Sequence, residues 1–569
     1  MIYEGIPVSD GVAIGQVFHY QPSPPAVPEK WLAADEIEDS LERFRQVLLQ
    51  AENEIITLIQ NMELDEEQKK IFQAHIDIVQ DEVINQEIED EVRDRRLSPE
   101  CAAKVVYERY IEVISKARDA LIRERAADLR DVSQRIIRLW LGVKADTLAT
   151  LSGEVILVAH DLLPSDTASM NRDHVRAIVT EVGGYTSHMA ILARNYGIPA
   201  VLGVSDILVN TQNGQRVAVD AVSGRVITNL TVDQEKQYQV MRAEYLQQMS
   251  DLKQYLPIRP VSTDGTKFDL FLNIGSAADH ELELEEYTDG VGLFRTEFLY
   301  MSKSCLPTEE EQFQVYKKAA CTCQGRPVVI RTLDIGGDKK LDYLELPRED
   351  NPFLGLRALR LCFEMMPIFK TQLRAILRAG AYGNVWIMFP MVGSIGDIRF
   401  AKQIVEEVKQ ELDREGVAYG CDVKIGIMVE IPSIALMADV AAAEVDFASI
   451  GTNDLCQYLM AVDRLNPSVA NYYQSFHPAL FRLIRQIAVE FTKQGKPVSV
   501  CGEIGGDPQA AALLAGLGIR KFSMNASSLA AVKKMISQLS ICKAERMART
   551  VLELSTAVQV ENYLKSELS

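Results

Sequence analysis

The 569-residue chain has no apolar run long enough to cross a membrane. Its first residues, "MIYEGIPVSDGVAIG", lack the basic start and apolar middle of a signal peptide. A cytoplasmic location is therefore expected. Cysteines number nine, an odd count, and they are scattered; Cys321 and Cys323 form a C-x-C with no second ligand pair. Neither a zinc site nor a disulfide framework is implied, and reduced thiols are expected. Positive charge is also in deficit. The formal net charge is −20, which argues against a general nucleic-acid binder.

What is present is an ordinary soluble composition, 47% hydrophobic and 25% charged, in a chain long enough for several domains. Residues 35 to 142 read as helices, with apolar residues recurring every three or four positions. Ser98-Pro99-Glu100 marks one helix start. Residues 35 to 100 hold 20 acidic and 7 basic side chains. That excess reads either as a solvated face or as a dock for a basic partner.

From Glu154, short β-branched runs such as "EVILVAH", "VRAIVTEVG" and "QRVAVDAVSGRVI" predict a small α/β domain. The strand-like start, "GIPVSDGVAIGQVFHY", is assigned to the same domain, so the helical block becomes an insertion. Residues 232 to 255 predict one polar helix of about 36 Å, a connector ended by Pro257 and Pro260. The boundaries adopted are 1–20 and 146–230 for the α/β domain, 21–145 for the helical insertion, 231–260 for the connector and 261–569 for the C-terminal domain.

The C-terminal domain offers eight apolar strand candidates separated by helical stretches: "KFDLFLNIG", "GVGLFRTEF", "PVVIRTLDIGG", "VWIMFPMV", "KIGIMVEIPS", "VDFASIGTND", "PVSVCGEIGG" and "IRKFSM". Eight βα units in this length predict a (β/α)8 (TIM) barrel rather than an open doubly wound sheet. Chemistry in such barrels gathers at the carboxyl ends of the strands. Those ends carry Arg295, Arg331 with Asp334, Glu430, Asn453 with Asp454, and Cys501 with Glu503; Arg464 follows soon after strand six. Guanidinium forks suit phosphate and carboxylate oxygens. Glu430 and Asp454 are hard ligands suited to Mg²⁺. A small phosphorylated acid would satisfy both sets. Cys501 reads equally as a small buried hydrophobe or as a carrier of a proton to or from carbon.

One of only seven histidines, His188, lies in "GGYTSHMAILARNYGIPAVLG" at a predicted helix start, where Thr186 or Ser187 can cap the first turn. The positive end of a helix dipole disfavours an imidazolium but suits an imidazole that acquires a phosphoryl group. A hydrogen-bonded histidine at a helix start is the plainer alternative.

"GGYTSHMAILAR" resembles the phosphohistidine signature of enzymes that use phosphoenolpyruvate (PEP). "GLFRTEFLYM", "RTLDIGGDK", "NPFLGLRALR", "MFPMV", "SIGTNDLCQYLMAVDR" and "CGEIGGD" resemble enzyme I of the bacterial phosphotransferase system, over nearly the whole chain. The helical segment "IFQAHIDIVQDE…RERAADLRDVSQRI" is similar to the carrier-binding subdomain of that family. The resemblance implies that PEP is bound by Arg295, Arg331, Arg464 and the segment of Asn453 and Asp454, with Mg²⁺ on Glu430 and Asp454. It implies phosphorylation of His188, protonation of the departing enolate by Cys501, and transfer onward to a histidine of the phosphocarrier HPr. It implies a homodimer through the barrel and a moving histidine domain. A nitrogen-type regulatory enzyme, which usually carries an extra sensor domain, and a non-catalytic PEP sensor are the alternatives. Two positions depart from the family pattern: Tyr185 stands where arginine is frequent, and Met189 where threonine is usual.

Overall fold

The computed structural model describes the chain except residues 21–26, 28–29, 62–65, 116–119, 143–147, 149–150, 152, 164–165, 168–169, 185–187, 279–280, 302, 304, 338, 340, 342, 345, 348, 465 and 569. Side chains at 60–61, 66–70, 120–124, 188, 191, 195 and 467 are likewise outside the description. The chain forms two compact units, Met1–Gln248 and Met249–Ser569.

In the first unit, β1 (Ile2–Glu4), β2 (Ile6–Ser9) and β3 (Val12–Tyr20) precede the helical block. They join β4 (Val155–Ala159), β5 (Val175–Thr180), β6 (Ala200–Leu202), β7 (Arg216–Asp220) and β8 (Arg225–Ile227) in one sheet. Its order is β1-β8-β7-β3-β4-β5-β6-β2. The central strands β3 to β6 run parallel, and Val17 pairs with Ile156. Strand β4, "VILVA", is buried throughout, as a strand covered on both faces requires.

Among the described residues between β3 and β4 lie five α-helices: α1 (Ile37–Asn61), α2 (Glu66–Val79), α3 (Glu82–Arg95), α4 (Pro99–Ser115) and α5 (Ala120–Leu141). Their apolar stripes meet in one core containing Leu41, Phe44, Ile88, Val106, Tyr107 and Val132. The Asp81 carboxylate caps α3 by accepting from Val83 N and Ile84 N, both at 2.9 Å. Thus the all-helical insertion in an α/β domain expected from the sequence is present. The polar connector forms helix Val232–Lys253, with no buried residue.

The second unit holds a closed parallel barrel, as the sequence predicted. Its strands are β9 (Asp269–Ile274), β10 (Val291–Arg295), β11 (Val328–Arg331), β12 (Val385–Phe389), β13 (Lys424–Val429), β14 (Phe447–Ile450), β15 (Val498–Val500) and β16 (Lys521–Met524), with β16 returning to β9. Each of the eight apolar runs supplies one strand. The interior is filled by side chains such as Leu293, Val329, Met388, Met428 and Phe447, so the barrel is a packed core whose chemistry is confined to its mouth. No helix among the described residues is long and apolar enough to cross a membrane.

Candidate active site

A cluster of carboxylates and cationic side chains lies at or just beyond the carboxyl ends of the barrel strands. Arg331, the last residue of β11, points a nitrogen at Glu297 Oε1 (2.5 Å) and at Asp334 Oδ2 (3.0 Å). Lys339 bridges the same two acids at 2.8 and 3.0 Å. Burial alone would raise the Glu297 carboxyl, but Arg331 and Lys339 prevail and hold it down, to about 2. Asp334 is likewise held well below the usual carboxylate range: burial opposes this, and Lys339, Arg331 and Arg357 outweigh it.

Arg357 carries the arrangement across the mouth. It is 1% exposed. It donates to both oxygens of Asp334 at 2.9 and 3.2 Å, to Asp454 Oδ2 at 2.9 Å and to the Tyr458 hydroxyl at 3.2 Å. Gly336 (φ 110°) makes room for it: a Cβ there would lie 2.9 Å from the Arg357 Cα. The strand-end reading missed Arg357, Glu297, Lys339 and Tyr458. Arg357 lies 26 positions past the end of β11, inside the quoted "NPFLGLRALR", and only the register of a returning loop brings it home.

Glu430, one residue beyond β13, is 1% exposed and accepts from Met391 N at 2.6 Å. Met391 sits at φ 53°, a strained conformation for its side chain, maintained beside this carboxylate. Burial, then Asp454 and Asp334, push the Glu430 carboxyl up to about 8. Among the described residues Asp454 Oδ1 is buried with no hydrogen-bond partner, and Arg464 Nη2 is 3.9 Å away. A Cβ on Gly451 would meet Glu430 Oε2 at 2.9 Å, so this backbone approaches the carboxylate as only glycine permits. An acid raised by neighbouring acids, beside an orphaned carboxylate oxygen, is the electrostatic signature of a place for a divalent cation. Among the described residues no group of three or more His, Cys, Asp or Glu side chains could hold a metal. Two carboxylates with a substrate completing the shell suit Mg²⁺, which keeps several non-protein ligands.

The remaining named residues surround this pair. Arg295 ends β10, half-buried, and among the described residues nothing pairs with its guanidinium. Arg464 is 23% exposed, and its buried Nε has no partner among the described residues. Asn453 and Asp454 lie in the first turn of helix Thr452–Met460. Asn453 exchanges two bonds of 3.1 Å with Glu503, one to its carboxylate and one from its backbone N–H. Cys501, just past β15, is 3% exposed, and burial pushes its thiol up to about 11. It is therefore a protonated thiol at neutral pH, able to donate.

In the first unit, His188 opens helix His188–Tyr196. Met189, Ala190, Leu192 and Ala193 of that helix are buried with Ile178, Ala200 and Leu202 of the sheet. Met189 is thus a core residue. The expected caps Thr186 and Ser187, and Tyr185, lie outside the described residues. The other described histidines have structural partners: His19 with Thr211, His75 with Asp128, His160 with Glu181, His174 with the Gly153 carbonyl, and His477 with the N–H of Ala479 at its own helix start.

Three family descriptions match in order: PEP-utilising enzyme, N-terminal (residues 4–125), PEP-utilising enzyme, mobile domain (151–224), and PEP-utilising enzyme, PEP-binding domain (250–541). Phosphoenolpyruvate-protein phosphotransferases of Priestia megaterium and Bacillus subtilis are 43% and 42% identical over 565 and 564 residues. The match covers 99% of this chain in both cases, and 98% and 99% of the relatives. The chain belongs to the phosphoenolpyruvate-protein phosphotransferase family. Within this family of phosphotransferases, the matched PEP-binding domain contains every strand of the barrel, and the mobile domain contains His188.

Proposed function

We propose that the protein moves the phosphoryl group of PEP to His188 and then to a histidine of the phosphocarrier HPr, releasing pyruvate as the first step of sugar uptake. The observation that carries this reading is the pairing, at the barrel mouth, of the buried Glu430 and Asp454 carboxylates with the guanidinium groups of Arg331, Arg357 and Arg464. A phosphorylated acid with one divalent cation supplies partners of both signs to this cluster. Burial makes such pairing decisive, since an uncompensated charge there is costly.

Arg295, Arg331 and Arg464 bind the phosphate and carboxylate oxygens, and Asn453 orients the substrate. Glu430 and Asp454 would hold Mg²⁺, which would supply neutralisation of negative charge during the transfer. Phosphoryl transfer needs positioning and charge stabilisation more than covalent help, and these residues provide both. The neutral Cys501 thiol gives its proton to the enolate carbon. His188 must serve both the barrel and the carrier, which the exposed connector helix Val232–Lys253 allows. The acidic helical block docks the basic face of HPr. We assign the boundaries 1–20 with 146–230, 21–145, 231–260 and 261–569 to these roles. The barrel forms the homodimer, for which the exposed Leu436, Met437 and Val440 offer apolar surface. A cytoplasmic setting fits this chemistry. Incubation with PEP, Mg²⁺ and HPr tests the reading: pyruvate and phospho-HPr should appear together, and neither should appear with His188→Ala.

A further inference from the structure

The arginines at the barrel mouth are not held alike. Arg331 is pinned by Glu297 and Asp334, and Arg357 by Asp334 and Asp454, at 2.5 to 3.2 Å. Arg464 has no such clamp. Its one ion pair among the described residues is the 3.9 Å approach to Asp454 Oδ1, and its buried Nε has no partner there. The position of its guanidinium therefore follows that of its backbone.

One residue fixes that backbone. The helix Thr452–Met460 ends at Ala461, whose φ of 52° is a left-handed conformation that turns the chain. The N–H groups of Ala461 and Val462 both donate to the Gln457 carbonyl. Two residues on, the Arg464 N–H donates to Gln457 Oε1 at 3.0 Å. The turn that carries Arg464 is thus tied to Gln457 through both its main chain and its side chain. Gln457 is 3% exposed. It lies three positions after Asp454, so the two side chains share one face of the helix. A methionine would fill the same space without burying an amide, and a buried amide is costly unless its hydrogen bonds are made.

We propose that Gln457 is a positioning residue for Arg464, setting its guanidinium against the anionic oxygens of the substrate while Asp454 on the same helical face serves the metal site. This rests on the assignment of Arg464 to PEP. Gln457 itself touches no substrate and exchanges no proton; it acts through the backbone N–H of Arg464. A guanidinium makes its paired bonds only in the right orientation, and a misplacement of about 1 Å can cost up to about 100-fold.

The test uses the full chain with Gln457→Met, Gln457→Asn, Gln457→Glu, Arg464→Ala and the double variant Gln457→Met with Arg464→Ala. PEP affinity is read by titration calorimetry with Mg²⁺, in a His188→Ala background so that no transfer occurs. The kcat and KM for pyruvate release are read with His188 intact and HPr present. Gln457→Met keeps the volume and loses the acceptor. It should weaken PEP binding about tenfold and raise KM by as much, with kcat changed by less than about threefold. Gln457→Glu retains an accepting oxygen and should restore most of the loss. Mn²⁺ affinity without PEP should not move, because Asp454 stays in place. In the Arg464→Ala background, Gln457→Met should change PEP affinity by less than about twofold, since its effect runs through Arg464. An equal loss in both backgrounds, or Mn²⁺ affinity falling along with that for PEP, would overturn the proposal in favour of a general distortion of the helix. Wild-type PEP affinity in a folded Gln457→Met protein would also overturn it. If that variant fails to fold, Gln457→Asn, whose acceptor is withdrawn by one methylene, takes its place with the same criterion. Wild-type PEP affinity in Arg464→Ala would instead overturn the assignment of Arg464 to the substrate, and this inference with it.

Discussion

In the helical block, Arg45 pairs with Glu89, Arg93 with Glu38 and Glu89, and Arg95 with Glu91, on surfaces where the arginines stay 38 to 65% exposed. At the barrel mouth, the side chains of Arg331, Glu297, Asp334 and Arg357 are exposed by 7, 2, 1 and 1%. Water screens the first set, so its charges can be rearranged against a partner at little cost. The second set has no such freedom. Each ion there has lost its hydration, and only fixed partners compensate it. The helical block is thus suited to reversible docking, and the mouth to holding groups still while charge moves.

The comparison breaks most visibly by removing one partner on each side. Arg357→Ala should cost about 3–5 kcal/mol, because it leaves Asp334 and Asp454 buried beside a void. Glu89→Gln should barely move the urea midpoint of the helical block. Equal losses in denaturant unfolding would mean that the two regions do not differ in the way described.

Catalytic effects should follow the same division. Arg331→Lys retains the charge but loses the fork, and should lower kcat/KM for PEP about 10²–10³-fold. Neutralising an exposed acid on α1 or α3 should alter carrier KM and its salt dependence, with little change in kcat. Steady-state kinetics with PEP and with carrier varied in turn would separate them.

The raised Glu430 carboxyl gives a pH test. Its folded value lies above its unfolded one, so the folded protein binds the extra proton. Without metal, stability should therefore fall as pH rises from the ordinary carboxylate range toward about 8. Metal competes with that proton, so Mn²⁺ affinity, read by electron spin resonance in the absence of PEP, should rise roughly 50-fold between pH 6 and 8. Glu430→Gln should abolish the slope.

The smallest expected effect concerns Met189. Its side chain is 3% exposed in the core beneath the His188 helix. Met189→Thr should destabilise the first unit by about 1–3 kcal/mol, through lost packing and a buried hydroxyl. A rise in thermal midpoint would contradict that placement.

The barrel was legible because its eight strands are short apolar runs whose polar residues sit at one end. Strand periodicity and that polarity together point to the mouth. The helical insertion was legible for the same kind of reason, a change of period from two to about 3.6. Arg357 was not legible in this way, because a loop and not a strand delivers it, and "GLRALR" reads locally as an amphipathic helix. Glu297 looks like an ordinary acid in a helix's first turn until Arg331 and Lys339 are seen against it.

The most direct measurement is the intact mass of wild type and His188→Ala after incubation with PEP and Mg²⁺. An acid-labile gain of one phosphoryl group in wild type alone is the predicted result. No gain in wild type, or the same gain in both proteins, would contradict the account.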